Sequence, residues 1–381
     1  MKTRDVQAVL RQSNLSDAQK MDSILNFIKN EYQNDPWVTE PASNELYTFA
    51  LKKGNKQMQA KALFFFAKSQ MVLNRLDSDT CFVKAARYFG ELNMLDKKIE
   101  CLNHLLQYAE TKNDESKFLK YKSELYSSVN EVPQTSKKGL EIYYMFHQSM
   151  SNSFLSRDEL DSAFYHIQMA EKYAIESNDD SRLSQCHLNT GNILVYQDEF
   201  VRAFKYYLKC KDIAKRLSDR VLQCQVAMAM GDAYVYLGEV EASIDPFKEA
   251  NELALRTNDT QLQMYSLVKL AKGNFYQGKY HEALSAFFAA DVLIPSGIGK
   301  ELKPEIHLAQ GACHLNLNNF KMAEKMFGLA QREYEKNGVP KKSSLYWNIA
   351  GLRFNQKRYQ EALDAYKKAR DMEIELNSYS L

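Results

Sequence analysis

The sequence predicts an all-α fold, an α-solenoid in which antiparallel helix pairs stack into a right-handed superhelix. Two observations predict it. Gly191, Gly231 and Gly311 stand 40 or 80 residues apart, and Ala271 fills the missing place. Around that register other positions keep the same spacing. One series runs Phe200, Val240, Tyr280, Phe320, Tyr359 and a second Ala203, Ser243, Ala283, Ala323, Ala362. A third is Tyr207, Phe247, Phe287, Phe327, Tyr366 and a fourth Cys210, Ala250, Ala290, Ala330, Ala369. Such a period marks one supersecondary unit stacked on copies of itself.

Within each unit the first helix carries the small residue where two helix axes cross closely. The second carries Ala and aromatic residues three or four apart on one face, which fill the space between helices. Gln197-Asp198-Glu199, Leu237-Gly238-Glu239, Gln277-Gly278-Lys279 and Leu317-Asn318-Asn319 break the chain between them. Asn178-Asp179, Ser218-Asp219 and Asn258-Asp259 place capping side chains where the next unit starts. Carried outward, the register gives a unit at 143–182 with Leu160, Ala163 and Ala170, and a last one at 343–381.

The expected organisation is therefore six repeats over 138–381, two degenerate helix pairs over 59–134, and N-terminal helices over 1–58. Phe66-Ala67 with Ala86, and Ala109 with Phe118 and Leu125, carry the degenerate pairs. Ser16-x-x-Gln19 reads as a capping box opening a helix to about Tyr32. Asp35-Pro36 and Glu40-Pro41 are expected to bracket a loop before a helix ending near Gly54. Asn130-Glu131-Val132-Pro133 is the one other marked break.

The pattern resembles the tetratricopeptide repeat. Met230-Gly231-Asp232-Ala233-Tyr234 followed by Gly238 carries the likeness, as does Leu270-Ala271 followed by Gly278, Tyr280, Ala283, Phe287, Ala290 and Pro295. That family repeats every 34 residues, and the roughly 6 extra here lie between one unit and the next. The resemblance is to a long-helix subclass of regulatory and sensor proteins that bind peptides or partner domains. It implies that His147, His187 and His307 occupy the place of a packing Trp, and His314 that of a Tyr. It also excludes the family's clamp for chaperone C-termini. The Lys of that clamp is replaced by Leu188, Met228 and Val268, ahead of Asn192, Asp232 and Lys272.

Composition narrows the function classes. Fifty basic against 48 acidic residues leave a net charge of +2 without a polybasic run, which gives a nucleic-acid groove no support. No apolar stretch approaches the roughly 18 to 20 residues of a membrane span, and Met1 to Asp5 lead into a polar helix, so a cytoplasmic protein is expected. The six cysteines lack any Cys-x-x-Cys pair. Cys210 belongs to the buried Ala series, Cys313 sits beside Gly311, and Cys101-x-x-His104 has no second pair to complete a metal site. Gly297-Ile298-Gly299-Lys300 lacks the spacer and the Ser or Thr of a phosphate loop and reads as a turn after Pro295. No nucleophile motif pairs a His with a Ser or Cys. No enzyme, cofactor or metal is expected.

What remains is the face of the first helices, which lines the concave side of a curved array. One residue past each small position lie Asn152, Asn192, Asp232 and Lys272; five past lie Tyr196, Tyr236 and Tyr276. Asn can pair with an extended backbone, and Tyr supplies rigid amphipathic contact area. Val195, Val235, Phe275 and Leu315 split between groove and packing, while Met145, Gln185, Gln225 and Tyr265 extend the groove toward its other rim. Lys269 and Lys272, neighbours on a helix, form a positive spot for an acidic group. The alternative for the tyrosines is packing between repeats.

The last helix ends with Leu363, Tyr366, Ala369, Met372 and Ile374 uncovered by a further unit, which points to a following output domain or to a homo-oligomer contact. The leading expectation is a non-enzymatic module that binds a protein or peptide in its groove and serves the sensory side of a signalling system. The alternatives are a peptide-regulated bacterial modulator with an active N-terminal helical bundle, and a passive assembly scaffold.

Overall fold

The computed structural model describes residues 3–32, 35–73, 78–294, 302–337 and 342–378, and over these the chain is helical, without a strand. The expected turn at Pro295 and Gly297 to Lys300 lies outside the described residues. The chain divides into two units, Met1–Cys186 and His187–Leu381, with the boundary inside one helix.

The first unit begins with α1 (Thr3–Arg11), α2 (Asp17–Glu31) and α3 (Pro36–Lys52). Ser16 caps α2 as a full capping box with Gln19, because its hydroxyl accepts from the Gln19 amide while the Gln19 side chain accepts from its own. The loop expected between Asp35-Pro36 and Glu40-Pro41 is instead the start of α3. Asp35 caps it, Pro36 takes the first helical turn where a missing N–H costs nothing, and Pro41 is carried inside the helix. Pro41 removes one backbone bond, and burial of Ala42, Ser43, Leu46 and Ala50 on the same helix outweighs that loss. Val6, Met21, Ile24, Ile28, Leu46 and Ala50 close a common core.

Beyond it run α4 (Lys56–Val72), α5 (Ser78–Glu91), α6 (Leu95–Thr111), α7 (Glu115–Asn130), α8 (Lys137–Ser156) and α9 (Leu160–Glu176). Neighbours pack in sequence, and the first helices α6 and α8 also touch. The break at 130–133 separates α7 from α8, and Ser136 caps the new helix through the Gly139 amide.

The helix α10 (Asp180–Tyr196) spans the boundary, and the second unit continues with α11 (Phe200–Arg216), α12 (Arg220–Tyr236), α13 (Val240–Leu255), α14 (Thr260–Tyr276) and α15 (Tyr280–Val292). It ends with α16 (Leu302–Asn316), α17 (Phe320–Asn337), α18 (Ser343–Asn355) and α19 (Tyr359–Ser378). Consecutive helices pack as pairs, α12 on α13, α14 on α15, α16 on α17 and α18 on α19. The expected caps form: Asp179, Asp219 and Asp259 accept from the amides of Arg182, Leu222 and Leu262 at 2.9 to 3.0 Å. Within pairs the turn residue is left-handed, at Asp198, Gly238, Gly278 and Asn318 alike.

The small-residue series meets the aromatic series as the period requires. A methyl placed on Gly191, Gly231 or Gly311 would run into the ring of Tyr207, Phe247 or Phe327, each almost fully buried. The Ala series, with Cys210 in it, is buried behind them. Burial pushes the Cys210 thiol up to about 12, so it is protonated and slow to react. Cys210→Ala should cost about 1 kcal/mol or less, since Ala serves this place in the other repeats. Denaturant midpoints check the cost, and fast labelling of native Cys210 by a thiol reagent would contradict the burial.

The histidines at the Trp place are packing groups. His147, His187 and His307 are all buried, and His147 Nδ1 lies 2.9 Å from His166 Nδ1. Burial holds His104, His147, His166 and His187 down near 4, against an ordinary value near 6.5. Each is therefore neutral in the fold but takes a proton when unfolded below about pH 6.5. Stability should hold above that pH and fall as pH drops from 6.5 towards 4. Melting temperatures taken across this window should fall more steeply than those of a His147→Gln/His166→Gln double variant.

Candidate functional site

In the second unit the first helices α10, α12, α14, α16 and α18 present one register each, and this fixes where the ladder side chains stand. Tyr196, Tyr236 and Tyr276, at the last position of α10, α12 and α14, are 53%, 63% and 56% exposed. They are not buried between repeats. Tyr196 and Tyr236 meet edge to face with centroids 6.1 Å apart, and partial burial, then the neighbouring Tyr236, raises the Tyr196 phenol.

The polar ladder is less free than the tyrosines. Tyr207 Oη donates to Asn192 Oδ1 at 2.9 Å, tying Asn192 to its own helix pair and leaving its NH2 group as the part able to meet a ligand. Lys269 Nζ lies 2.6 Å from Asp232 Oδ2 and joins α14 to α12. The positive spot expected at Lys269 and Lys272 therefore narrows to Lys272. Asn152 is exposed on α8, in the first unit.

Lys272 and Tyr276 open onto a cleft of about 510 Å³. Its lining follows the repeat. Val268 and Leu308 stand at successive copies of the place three residues before the small position, and Lys272 and Ala312 at the place one after it, while α18, where the register is one residue shorter, contributes Asn348. Phe275 and Ile306 add apolar surface, with Phe287 from the second helix α15. Glu305 and Lys342 supply charge; they pair at 3.0 Å, and Tyr334 Oη donates to the same Glu305 oxygen at 2.5 Å. Lys272 is exposed at the edge of the cleft; partial burial, then the neighbouring Lys269, lowers its pKa, with Glu305 and Asp232 acting the other way.

Glu305 and Leu308 were within reach of the sequence. The series Met145, Gln185, Gln225, Tyr265 extended by one more period lands on Glu305, and Leu188, Met228, Val268 extended lands on Leu308; the last repeat is one residue shorter, so the series passes Asn348 by. Lys342 precedes α18 and belongs to no series, so periodicity carries no signal for it.

Among the described residues no helix is long and apolar enough to cross a membrane. No protein-family model matches the sequence, and no curated protein does. Solved structures share the fold, that of helical-repeat solenoids. A signal-transduction ATPase with a tetratricopeptide repeat sensor from Pyrococcus horikoshii aligns with a TM-score of 0.62 at 16% identity. It covers 96% of this chain, which spans 55% of that one. Aspartyl phosphate phosphatase F from Bacillus subtilis aligns at 0.56 with 12% identity, over 94% of this chain and 95% of its own. The Rap conjugation gene regulator of plasmid pLS20, solved in complex with the Phr* peptide, gives 0.53 and 12%, over 95% and 96%.

Proposed function

We propose that the chain is a non-enzymatic protein- or peptide-binding module, the sensory part of a signalling system, which holds its ligand along the first-helix face of the second unit. One observation carries this reading: three identical tyrosines, each more than half exposed, stand at one register and lead into an apolar cleft with charged groups at its edge. Exposed rings in register cost solvation and contribute little to packing, whereas a bound segment covers them. The peptide held by the pLS20 regulator, on a fold of the same kind, supports the reading. A second reading, in which the N-terminal helices act on a partner under peptide control, draws on the core that α1, α2 and α3 close among themselves and with the start of α4.

The test is capture of random-sequence peptides by the full chain, scored by mass spectrometry against the Tyr196→Ala/Tyr236→Ala variant. Peptides retained by the native chain and lost from the variant are expected. Retention that ignores the tyrosines would remove the groove from consideration.

A further inference from the structure

We infer that the outer face of α13, α15 and α17 is a two-fold interface on which a second copy of this chain docks, α15 against α15. The face lies on second helices, apart from the tyrosine ladder of the first helices, and does not depend on the peptide-binding reading. Each of these helices shows solvent a stripe of positions four and three residues apart, which share one helix face. The stripe recurs at 40 residues, and its chemistry changes from helix to helix. On α15 it is His281, Ser285, Phe288 and Val292, with Phe288 66% and Val292 70% exposed. On α13 it is acidic, with Glu241, Asp245 and Glu252 exposed against a single Lys248. On α17 it is basic, with Lys321, Lys325 and Arg332 exposed against a single Glu335.

Most of this flanking charge is unspent. Glu249 and Glu324, on the sides of α13 and α17, are taken by Lys211 and Arg353. Glu241, Asp245, Glu252, Lys321 and Lys325 make no ion pair among the described residues. An apolar strip between an acidic and a basic flank is complementary to itself under a two-fold axis. Rotation about an axis through the middle of α15 lays that helix antiparallel on its copy and sets α13 of each protomer against α17 of the other, acid on base, twice. With the axis between Ala286 and Phe287, each Phe288 ring stands over the small Ser285 of the other copy, and an apolar centre is rimmed by opposite charges. An anionic lipid or nucleic-acid surface would be drawn to α17 but repelled by α13. The 13 residues of α15 give the strip a length of about 20 Å. Three helices about 10 Å apart then offer about 600 Å² per protomer. About 1,200 Å² in total is the lower bound for a stable complex, so the dimer forms reversibly and responds to concentration and salt.

Sedimentation equilibrium of the full chain should show a monomer–dimer equilibrium that weakens as salt is raised. Phe288→Glu should raise the dissociation constant about tenfold or more with an unchanged circular dichroism spectrum. Glu241→Lys/Glu252→Lys and Lys321→Glu/Lys325→Glu should each be monomeric. An equimolar mixture of these two variants should dimerise, because the reversed flanks again oppose unlike charges. The chain carrying all four substitutions should dimerise as well, and it decides the matter if either half-variant fails to fold. A monomer at every concentration overturns the proposal. So does a dimer indifferent to Phe288→Glu, or reversed charges that restore nothing when combined. Binding of the native chain to phosphatidylglycerol vesicles through Phe288, without self-association, assigns the face to a lipid surface and overturns it equally.

Discussion

Phe247→Ala should destabilise the second unit by about 3 to 5 kcal/mol, the range for a fully buried aromatic. The ring is 1% exposed and is held from two sides by glycines of successive first helices. A methyl on Gly231 of α12 would run into the edge of the ring, and one on Gly273 of α14 would come within 2.9 Å of Cδ2. On both of these sides the ring has no room to give. Gly231→Ala should accordingly cost about 1 to 3 kcal/mol by overpacking, although Ala271 occupies the equivalent place in the next repeat. In Gly231→Ala/Phe247→Leu the added methyl takes part of the space the ring vacates. The double variant should be more stable than the sum of the singles by 1 kcal/mol or more, since the two sites are in contact. Guanidinium midpoints measure the cycle. Strict additivity would show that the crossing is not set by this ring.

Tyr236→Ala should weaken a captured peptide by about 1 to 3 kcal/mol, the range for an interface aromatic, while changing stability by about 0.5 kcal/mol or less because the ring is mostly exposed. Calorimetric titration beside a thermal melt separates the two effects. Lowered stability with unchanged affinity would assign the tyrosines to packing. Asn192→Ala is a poor companion to this test. It strips the buried Tyr207 hydroxyl of its acceptor, so a stability loss of about 1 to 3 kcal/mol will accompany any loss of binding.

The crossings at Gly191, Gly231 and Gly311 are legible in the sequence because each needs a small residue opposite a ring, and that demand recurs at 40 or 80 residues. Where the demand is met by other means, legibility fades. At Pro41, tertiary burial overrides a local breaker, and no local rule reports that. The exposure of the tyrosines follows from their register, but the Lys269 to Asp232 pair does not. It depends on how far one first helix is rotated against the next, which spacing along the chain leaves undetermined. The same holds for Lys342, which reaches Glu305 from outside any repeat position.

The ladders also bear on how a ligand would find a single seat. Tyr196, Tyr236 and Tyr276 are identical, so a segment that met only these rings could slide by one repeat and find the same contacts again. The neighbouring ladder removes this degeneracy, because Asn192 is neutral, Asp232 is negative and Lys272 is positive. Displacement by a single rung moves a contact from the amide of Asn192 to Asp232, which Lys269 already pairs, or from Asp232 to the cation of Lys272, and a charge set against the wrong rung is penalised more heavily than a misplaced ring. In such an array the uniform residues supply adhesion and the irregular ones supply the address.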